Sequence, residues 1–348
     1  MKIKEMTPME RVLTTLSHKE PDRVPLFLLL SMHGAKELGM SIKDYFSKAE
    51  NVVEGQIRLQ KKYSNDCFNP FFYAPIEVEA FGADVIFSED GPPNSGMPFI
   101  RNINDIVNVE APRINDAKVL HKVLKSIELL KEKSQGNIPI IGVAVSPFSL
   151  PVMQLGFEKY FDIMHFHKEL FNHLISVNEG FCVEWSNAQL KAGATAICYF
   201  DPVSSPTLIP KELYFETGYQ IAKRTISKIN GPTATHFASG NCLPIADLLP
   251  NTGTAVVGVS TQEDIADLKQ AFKNKITVLG NLNGIEMRRW TAAETSNIVR
   301  DTIRKAAPGG GFILSDNHGE IPFQVKDDTL HAIVNAVRKY GTYPIIED

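Results

Sequence analysis

Polar side chains that could perform acid–base or metal chemistry follow several apolar segments of the sequence. Asp201 comes after ATAICYF, His236 ends TATH, Asn281 follows ITVLG, and His318 lies in SDNHGE after GGGFIL. Because neutral histidine and carboxylate are both good zinc ligands, such groups could hold a divalent metal if the fold brings them together. Asp201 could instead serve as the acid–base group of a site without metal.

Each of these residues also has a structural alternative. A histidine at a strand end is often a hydrogen-bonded loop residue, which applies to His236. Asp201 could stabilise the turn at the following proline, and Asn241 and Asn281 could serve turns beside glycine. His318 has no evident packing role, because it lies in a run of polar residues directly after an apolar segment.

The four cysteines are widely separated and form no CxxC pair, which favours a reducing compartment. Cys242 is close to a polar cluster, so it could be a metal ligand, a nucleophile or a buried loop residue. The other three lie inside apolar runs and are predicted to be small buried hydrophobic residues: Cys67, Cys182 and Cys198.

The elements that would position the polar residues are short apolar runs alternating with helical patterns, which is typical of βα units around a parallel sheet. Runs such as IPIIGVAV are continuously apolar, as expected of strands buried on both faces. The sequence therefore predicts an α/β fold, a (β/α)8 TIM-type barrel with its active site at the carboxyl ends of the strands. The predicted strands are Val24–Leu30, Asp66–Phe72, Pro139–Ser146, Ala194–Asp201, Thr233–Ala238, Ala255–Val259, Ile276–Gly280 and Gly311–Ser315.

Helices are predicted between these strands from their periodicity and capping residues. Their ranges are Pro8–Ser17, Ala49–Tyr63, Asp116–Ser134, Tyr160–Lys191, Pro210–Ile229, Thr261–Lys273, Thr291–Ala307 and Asp327–Tyr340. The range Tyr160–Lys191 is long enough for two helices. No linker divides the chain, so residues 1–348 are predicted to form a single domain, with a β-containing excursion around 81–113 that could cover the site.

Composition and charge exclude several classes of function. The chain has 348 residues and a net charge of −4, without a basic stripe of the kind that binds nucleic acid or an anionic membrane. The first residues lack the apolar core of a signal peptide, and no run approaches the roughly 18 apolar residues of a membrane span. These features predict a cytoplasmic protein that acts on a small molecule; a homodimer is left open.

Seven stretches, in order along nearly the whole chain, resemble the uroporphyrinogen decarboxylase superfamily. They are TPMERVLTTLSHKEPDRVPLF, YAPIEVEAFGADVIFSEDGPP, SPFSLPVMQLGFEKYF, GATAICYFDPVSSPTLIPKELYFE, THFASGN, VLGNLNG and GGGFILSDNHGEIP. The second stretch resembles the methyltransferase branch of the superfamily. The resemblance implies the same barrel fold that the periodicity predicts.

Uroporphyrinogen decarboxylases themselves carry two arginines in an Arg-Gln-Ala-Gly-Arg stretch after the first strand, which bind the carboxylates of the substrate. The corresponding place here reads SMHGAKELG and contains no arginine. A substrate with many carboxylates would find nothing there to neutralise it. The resemblance therefore favours the corrinoid-dependent methyltransferase branch.

The methylcobamide:coenzyme M methyltransferases of this superfamily hold zinc on a His-x-Cys pair and on a further cysteine in the last βα loop. By this resemblance, His236 matches the histidine and His318 matches the last cysteine. Ala238 stands at the first cysteine position, or Ser239 if one residue is inserted. The resemblance implies zinc on His236 and His318, with neither thiolate present.

Three further residues are candidates to complete this zinc site. The related enzymes take a glutamate near the end of the sixth strand, where Glu263 lies, although Glu263 could equally form a capping box with Ser260. Asp316 is two residues from His318, so both side chains can face one side of an extended segment. Cys242 is the third candidate. Without thiolates the zinc would be a stronger Lewis acid, which suits an oxygen or nitrogen leaving group.

The resemblance thus implies a zinc-dependent methyltransferase of one-carbon metabolism or methanogenesis. It would move a methyl group between a small substrate and the cobalt of a corrinoid such as methylcobalamin, either by demethylating the substrate onto the corrinoid or with an acceptor other than coenzyme M. Because the chain lacks an Asp-x-His-x-x-Gly sequence, the corrinoid is expected on a partner protein. This partner is expected to dock over the barrel mouth, rimmed by residues 91–97 and the loop after Asp201. The predicted catalytic residues are Asp201, His236 and His318; the predicted substrate-binding residues are Asn241, Asn281, Glu79 and Tyr199.

Two other functions are compatible with the sequence. One is a lyase or decarboxylase without metal that acts on a smaller substrate, with Asp201 as its acid–base group. The other is a ligand-binding relative that has lost catalysis, which the missing thiolates permit.

Overall fold

The computed structural model describes residues 5–346 and contains a parallel sheet of six strands, each paired with the next along the chain. Two short strands that precede this sheet in the sequence form a separate antiparallel pair. The strands are β1 (Val85–Ile86), β2 (Asn94–Ser95), β3 (Ile141–Val145), β4 (Ala196–Phe200), β5 (Thr233–His236), β6 (Val256–Gly258), β7 (Thr277–Leu282) and β8 (Phe312–Asp316).

Two extended segments close the six-stranded sheet into a barrel. Leu26 forms a parallel bridge with Leu314 of β8, and Phe68 forms one with Ile140 at the start of β3. The backbone N–H of Asp66 donates to the carbonyl oxygen of Leu26 at 2.8 Å, which joins the two segments to each other. The predicted (β/α)8 barrel is confirmed, and each predicted apolar run contributes to its wall.

The helices surround this barrel. They are α1 (Pro8–Leu16), α2 (His33–Leu38), α3 (Ile42–Tyr45), α4 (Ala49–Tyr63), α5 (Ile76–Ala80), α6 (Lys118–Ser134), α7 (Pro151–Leu155), α8 (Phe157–Phe166), α9 (Lys168–Ala192), α10 (Lys211–Glu216), α11 (Gly218–Ile226), α12 (Ile265–Ala271), α13 (Ala292–Ala306) and α14 (Asp327–Tyr340). Within residues 5–346, none of them is both long and apolar enough to cross a membrane.

Several helix boundaries follow the sequence closely. The bounds of α4 and α14 are those predicted, and Thr7 and Thr291 form the capping boxes that start α1 and α13. The long range Tyr160–Lys191 is indeed two helices, α8 and α9, which meet at His167. The range Pro210–Ile229, predicted as one helix, is divided into α10 and α11 at Thr217, whose ψ of −84° is not helical.

The start of α12 differs from the prediction for a tertiary reason. The helix begins at Ile265, not Thr261, and its N-cap is Asp264, whose side chain accepts from the N–H of Ala266. The predicted capping box between Ser260 and Glu263 is therefore absent. Glu263 instead points to the loop after β5, which sequence spacing cannot reveal.

The excursion at 81–113 contains the β1–β2 hairpin and a 3-10 helix, Ile103–Asn108. The loop between β1 and β2 reaches the segment that follows β8. The side-chain amide of Gln324 there donates to the carbonyl oxygen of Asp90 at 2.6 Å. The hairpin loop thus lies on the side of the barrel where the strands end.

Helix α1 covers the opposite end of the barrel and is anchored by a buried ion network. Arg11 is 2% exposed and donates to Asp22 at 2.7 Å and to Asp66 at 2.6 Å. Asp66 also accepts from Arg23 at 2.7 Å and from the backbone N–H of Leu26 at 2.8 Å. One carboxylate therefore connects α1 with the first two segments of the barrel wall.

Replacing Asp66 with alanine is expected to lower the free energy of unfolding by about 3 kcal/mol, because Arg11 and Arg23 then lose a buried partner. Urea denaturation followed by circular dichroism measures this. The matched control is Glu54→Ala, which removes an exposed ion pair with Arg58 and should cost about 0.5 kcal/mol or less. Equal effects of the two substitutions would contradict the role assigned to the network.

Candidate active site

A cavity of about 210 Å³ runs from the mouth of the barrel, where the strands end, into the barrel interior. Its wall is largely apolar. The polar side chains at its mouth come from three parts of the barrel wall: Asn69 from the segment that contains Phe68, His236 from β5, and His318 and Glu320 from the loop after β8. Its floor is formed by one face of α1, with Met9, Val12, Leu13 and Leu16.

Small side chains on the inner face of the barrel leave this space open. On β4, Ala196, Cys198 and Phe200 line the cavity and are partly accessible, whereas the intervening residues are buried on the outer face. Ala234 on β5 is likewise partly accessible from inside. Barrel interiors are usually filled by bulky branched residues, so alanine and cysteine at these positions account for the empty volume.

Cys198 therefore lies on the cavity wall, whereas the sequence predicted a packed residue. Its burial in the protein raises the pKa of the thiol to about 12, which keeps it neutral at pH 7. Cys67 also lines the cavity, and both Cys67 and Cys182 are buried as predicted.

His236, the last residue of β5, directs one ring nitrogen into the site. Its Nδ1 accepts a hydrogen bond from the backbone N–H of Ala238 at 2.9 Å. A neutral imidazole has one acceptor and one N–H, so Nε2 carries the proton, and Nε2 has no partner among the described residues. Burial, together with the nearby His318, lowers the pKa of His236 to about 4. His236 is therefore a neutral hydrogen-bond donor at pH 7.

The ring of His236 can occupy this place because β6 ends in a glycine. A Cβ atom on Gly258 would lie 2.4 Å from Cδ2 of His236. Ala238 adopts a left-handed φ of 51°, and its N–H meets Nδ1 of the ring. The tautomer of His236 is thus set by the backbone of its own loop.

His318 lies across the mouth from His236, in the loop after β8. A hydrogen bond joins its Nδ1 to the hydroxyl of Ser239, and its Nε2 has no partner among the described residues. Burial lowers its pKa. The backbone N–H groups of His318 and Gly319 donate to Oδ2 of Asp316 at 2.9 Å and 3.1 Å, so Asp316 shapes this loop.

Glu320 is a functional candidate that was not among the predicted site residues. Its carboxyl group lines the cavity and accepts a hydrogen bond from the hydroxyl of Ser31. Burial raises the pKa of Glu320 to about 7, and the charge of Asp316 adds to this. An acid whose pKa is near the working pH can both donate and accept a proton. In the sequence, its position two residues after the candidate His318 is the one feature that could have marked Glu320 as a site residue.

Asp201 lies at the same end of the barrel but does not line the cavity. It is 1% exposed, and its carboxylate accepts from Ser146 and Ser204 at 2.5 Å each and from Ser149 at 2.8 Å. Burial raises the pKa of Asp201, and the three hydroxyl groups oppose this. Of the three predicted catalytic residues, the structure brings His236 and His318 together and leaves Asp201 as a connection between the loops after β3 and β4.

The four predicted substrate-binding residues lie outside the wall of this cavity as well. Tyr199 is fully buried on the outer face of β4, against the helices. Glu79 accepts a hydrogen bond from the hydroxyl of Tyr73 at 2.6 Å. The amide of Asn281 donates to a backbone carbonyl after β6 at 2.9 Å, whereas Oδ1 of Asn241 is buried and has no partner within residues 5–346.

The predicted zinc ligands are not assembled in the part of the chain that the structure describes. Among residues 5–346, no three His, Cys, Asp or Glu side chains are placed to hold a metal ion together. The carboxylate of Glu263 accepts from the backbone N–H groups of Cys242 and Leu243 at 2.8 Å and 2.7 Å. Cys242 is fully buried in the core, and burial raises the pKa of its thiol.

The tautomer of His236 also disagrees with a role as a zinc ligand. A histidine that binds metal through one nitrogen donates the proton on its other nitrogen to an acceptor. Here Nδ1 of His236 accepts a hydrogen bond, so Nε2 holds the proton and has no lone pair for a metal. The donor set of His236, His318, Asp316, Glu263 and Cys242 therefore does not fit zinc in this conformation.

Comparisons with known proteins agree on one family. The family model described as uroporphyrinogen decarboxylase (URO-D) matches residues 7–340. The methylcobamide:CoM methyltransferase MtbA of Methanosarcina acetivorans is 24% identical over 323 residues, which cover 89% of this chain and 94% of that protein. The uroporphyrinogen decarboxylase of Thioalkalivibrio sulfidiphilus is 22% identical over 356 residues, covering 95% and 98% respectively.

A solved structure described as a methyltransferase from Methanosarcina mazei has a similar fold. It superposes with a TM-score of 0.83 at 18% sequence identity, covering 97% of this chain and 99% of that one. At this identity the similarity shows a shared fold over nearly the full length. The barrel with its helical layer is therefore the common framework.

Proposed function

Because this chain belongs to the uroporphyrinogen decarboxylase family, we propose that it moves a methyl group between a small substrate and the cobalt of a corrinoid held by a partner protein. The observation that carries the proposal is the chemistry of the cavity. Among the described residues that line it, none is Arg or Lys. A substrate with many carboxylates would lie there without a counter-charge, whereas a small neutral methylated molecule would be accommodated.

The residues at the mouth can perform the proton transfer that such a reaction needs. When the methyl group leaves a nitrogen, oxygen or sulfur atom, the electron pair of the broken bond stays on that heteroatom, which then takes a proton. Glu320, with its pKa near 7, can donate this proton. The Nε2–H of His236 can hydrogen-bond to the same heteroatom and stabilise its developing negative charge.

Zinc is not part of this proposal, because the donor set at the mouth does not fit it. The corrinoid supplies a cobalt centre that accepts or gives the methyl group. We place its carrier protein over the mouth of the cavity, since α1 covers the other end. The hairpin loop near Asp90, which contacts Gln324 beside the mouth, would form part of the rim.

The proposal is tested with purified protein, chemically reduced cobalamin and a panel of methylated amines, ethers and thioethers, with methylcobalamin formation followed by absorbance. Methylcobalamin with the demethylated compounds tests the reverse direction. We expect turnover with at least one neutral compound and no release of carbon dioxide from uroporphyrinogen. Decarboxylation of uroporphyrinogen, or no methyl transfer in either direction, would overturn the proposal.

The pKa of Glu320 favours one second candidate, a lyase that decarboxylates a small apolar acid without metal. A carboxyl group that holds a proton near pH 7 can protonate the carbon from which carbon dioxide departs. Release of carbon dioxide from small apolar carboxylic acids, without any methyl transfer, would favour this candidate.

A further inference from the structure

The cavity inside the barrel is large enough for an apolar ligand of about the size of one six-membered ring. The cavity measures about 210 Å³, and an engineered apolar cavity of roughly 150 Å³ takes up benzene. Ala196, Cys198 and Ala234 are only partly buried although they lie inside the barrel, because the cavity leaves their inward faces uncovered.

Below the mouth the wall is mainly apolar and offers few hydrogen bonds to water. It is formed mostly by aliphatic side chains of the strands, with the thiols of Cys67 and Cys198 and the hydroxyls of Thr195 and Thr233 among them, and the floor is the apolar face of α1. Filling a mainly apolar cavity with an apolar molecule is favourable, because it removes apolar surface from contact with water. A charged or strongly polar group would be unfavourable there.

The mouth, by contrast, has polar atoms without partners. Nε2 of His236 is an unpaired N–H donor, and Nε2 of His318 is also unpaired among the described residues. His236 is 2% exposed, so water satisfies this donor poorly. A ligand that placed a hydrogen-bond acceptor at the mouth would satisfy it.

From this arrangement we propose that the cavity binds compact, uncharged molecules with an apolar ring-sized body directed towards α1 and a single acceptor atom at the mouth against Nε2–H of His236. These molecules would be the substrate class of the proposed methyl transfer. Only the word substrate rests on that proposed function. Binding itself is independent of turnover, so the two proposals can fail separately.

The test uses titration calorimetry with cyclohexanone, which has an apolar ring and one acceptor oxygen, and ligand-detected NMR competition with methylcyclohexane, which has the same shape without the acceptor. We expect both to bind, with cyclohexanone about tenfold tighter, as one hydrogen bond to a buried donor would give. Equal affinities would overturn the role of His236, and no binding of either probe would overturn the proposal.

Variants distinguish the cavity from any other site on the protein. Ala234→Leu fills the cavity and should abolish binding of both probes, whereas Ala293→Leu makes the same change on the exposed face of α13 and should leave binding unchanged. Cys198→Leu is a second filling variant if Ala234→Leu does not fold. His236→Asn should weaken cyclohexanone about tenfold and leave methylcyclohexane unchanged. Full binding by a folded Ala234→Leu protein would overturn the proposal.

If the probes bind but no methylated compound turns over, the cavity assignment stands and the proposed reaction falls. If methyl transfer occurs but neither probe binds or competes with the substrate, the reaction stands and the cavity assignment falls. Competition of cyclohexanone with a methylated substrate would support both.

Discussion

Replacing Glu320 with glutamine is expected to lower the rate of methyl transfer by roughly 100-fold to 10,000-fold, the usual contribution of a general acid. Glutamine has nearly the same shape and can still pair with Ser31, so substrate affinity should change little. The measurement is kcat and KM for a methylated substrate with reduced cobalamin, together with the dissociation constant of the substrate.

The raised pKa of Glu320 also predicts in which direction the rate of demethylation changes with pH. The pKa of Glu320 is raised to about 7, so its protonated, proton-donating form predominates below that pH. Demethylation by the wild-type protein should therefore decline as the pH rises through about 7, and the residual rate of Glu320→Gln should lack this step. Glu128→Gln, the same change at an exposed position on α6, is the control. A Glu320→Gln protein with the wild-type pH profile would exclude Glu320 as the proton donor.

The substitution His236→Asn distinguishes the roles of the two imidazole nitrogens. Asparagine can keep an acceptor where Nδ1 receives the N–H of Ala238, but it cannot reach the cavity with a donor as Nε2 does. We expect a folded protein with kcat reduced by roughly 100-fold to 1,000-fold, as for loss of one donor to a developing negative charge.

The companion substitution is His236→Gln, whose side-chain amide can return an N–H near the position of Nε2. Partial recovery of activity in His236→Gln relative to His236→Asn would identify the donor as the functional group. Elemental analysis of both proteins separates this role from a metal ligand, because the donor role predicts no change in metal content. Zinc bound by the wild-type protein and lost from both variants would contradict the hydrogen-bonding role.

Much of the fold could be predicted from the sequence because its signals are local. Continuous apolar runs mark the barrel strands, and Thr7 and Thr291 mark helix starts through their own capping boxes. The first two segments of the wall were also recognised, although only isolated bridges and single backbone hydrogen bonds join them to their neighbours.

The site was harder to predict because it depends on which way each side chain points. Phe200, Tyr199 and Ile197 are all apolar, so their polarity does not tell which face of β4 looks into the barrel. The structure turns Phe200 inward, and alternation along the strand then directs Tyr199 and Asp201 outward. Asp201 consequently meets three serine hydroxyls instead of the cavity.

Whether the predicted zinc ligands come together depends on contacts between distant loops. Glu263 is bound to the backbone after β5 through two hydrogen bonds, and the state of His236 is determined by the N–H of Ala238. Neither contact has a signature in residue spacing. The empty space inside the barrel is likewise a result of packing, although small residues such as Ala196 and Ala234 at inward positions are its sequence counterpart.

The floor formed by α1 has a kinetic consequence. Helix α1 covers the end of the cavity away from the mouth, so a small molecule is expected to enter and leave through the mouth. If a carrier protein covers that mouth during the reaction, the small substrate must enter before the carrier docks, and its demethylated product must wait until the carrier leaves. The protein would then follow a compulsory order, with the small molecule first on and last off, and an excess of carrier would inhibit it by trapping the product.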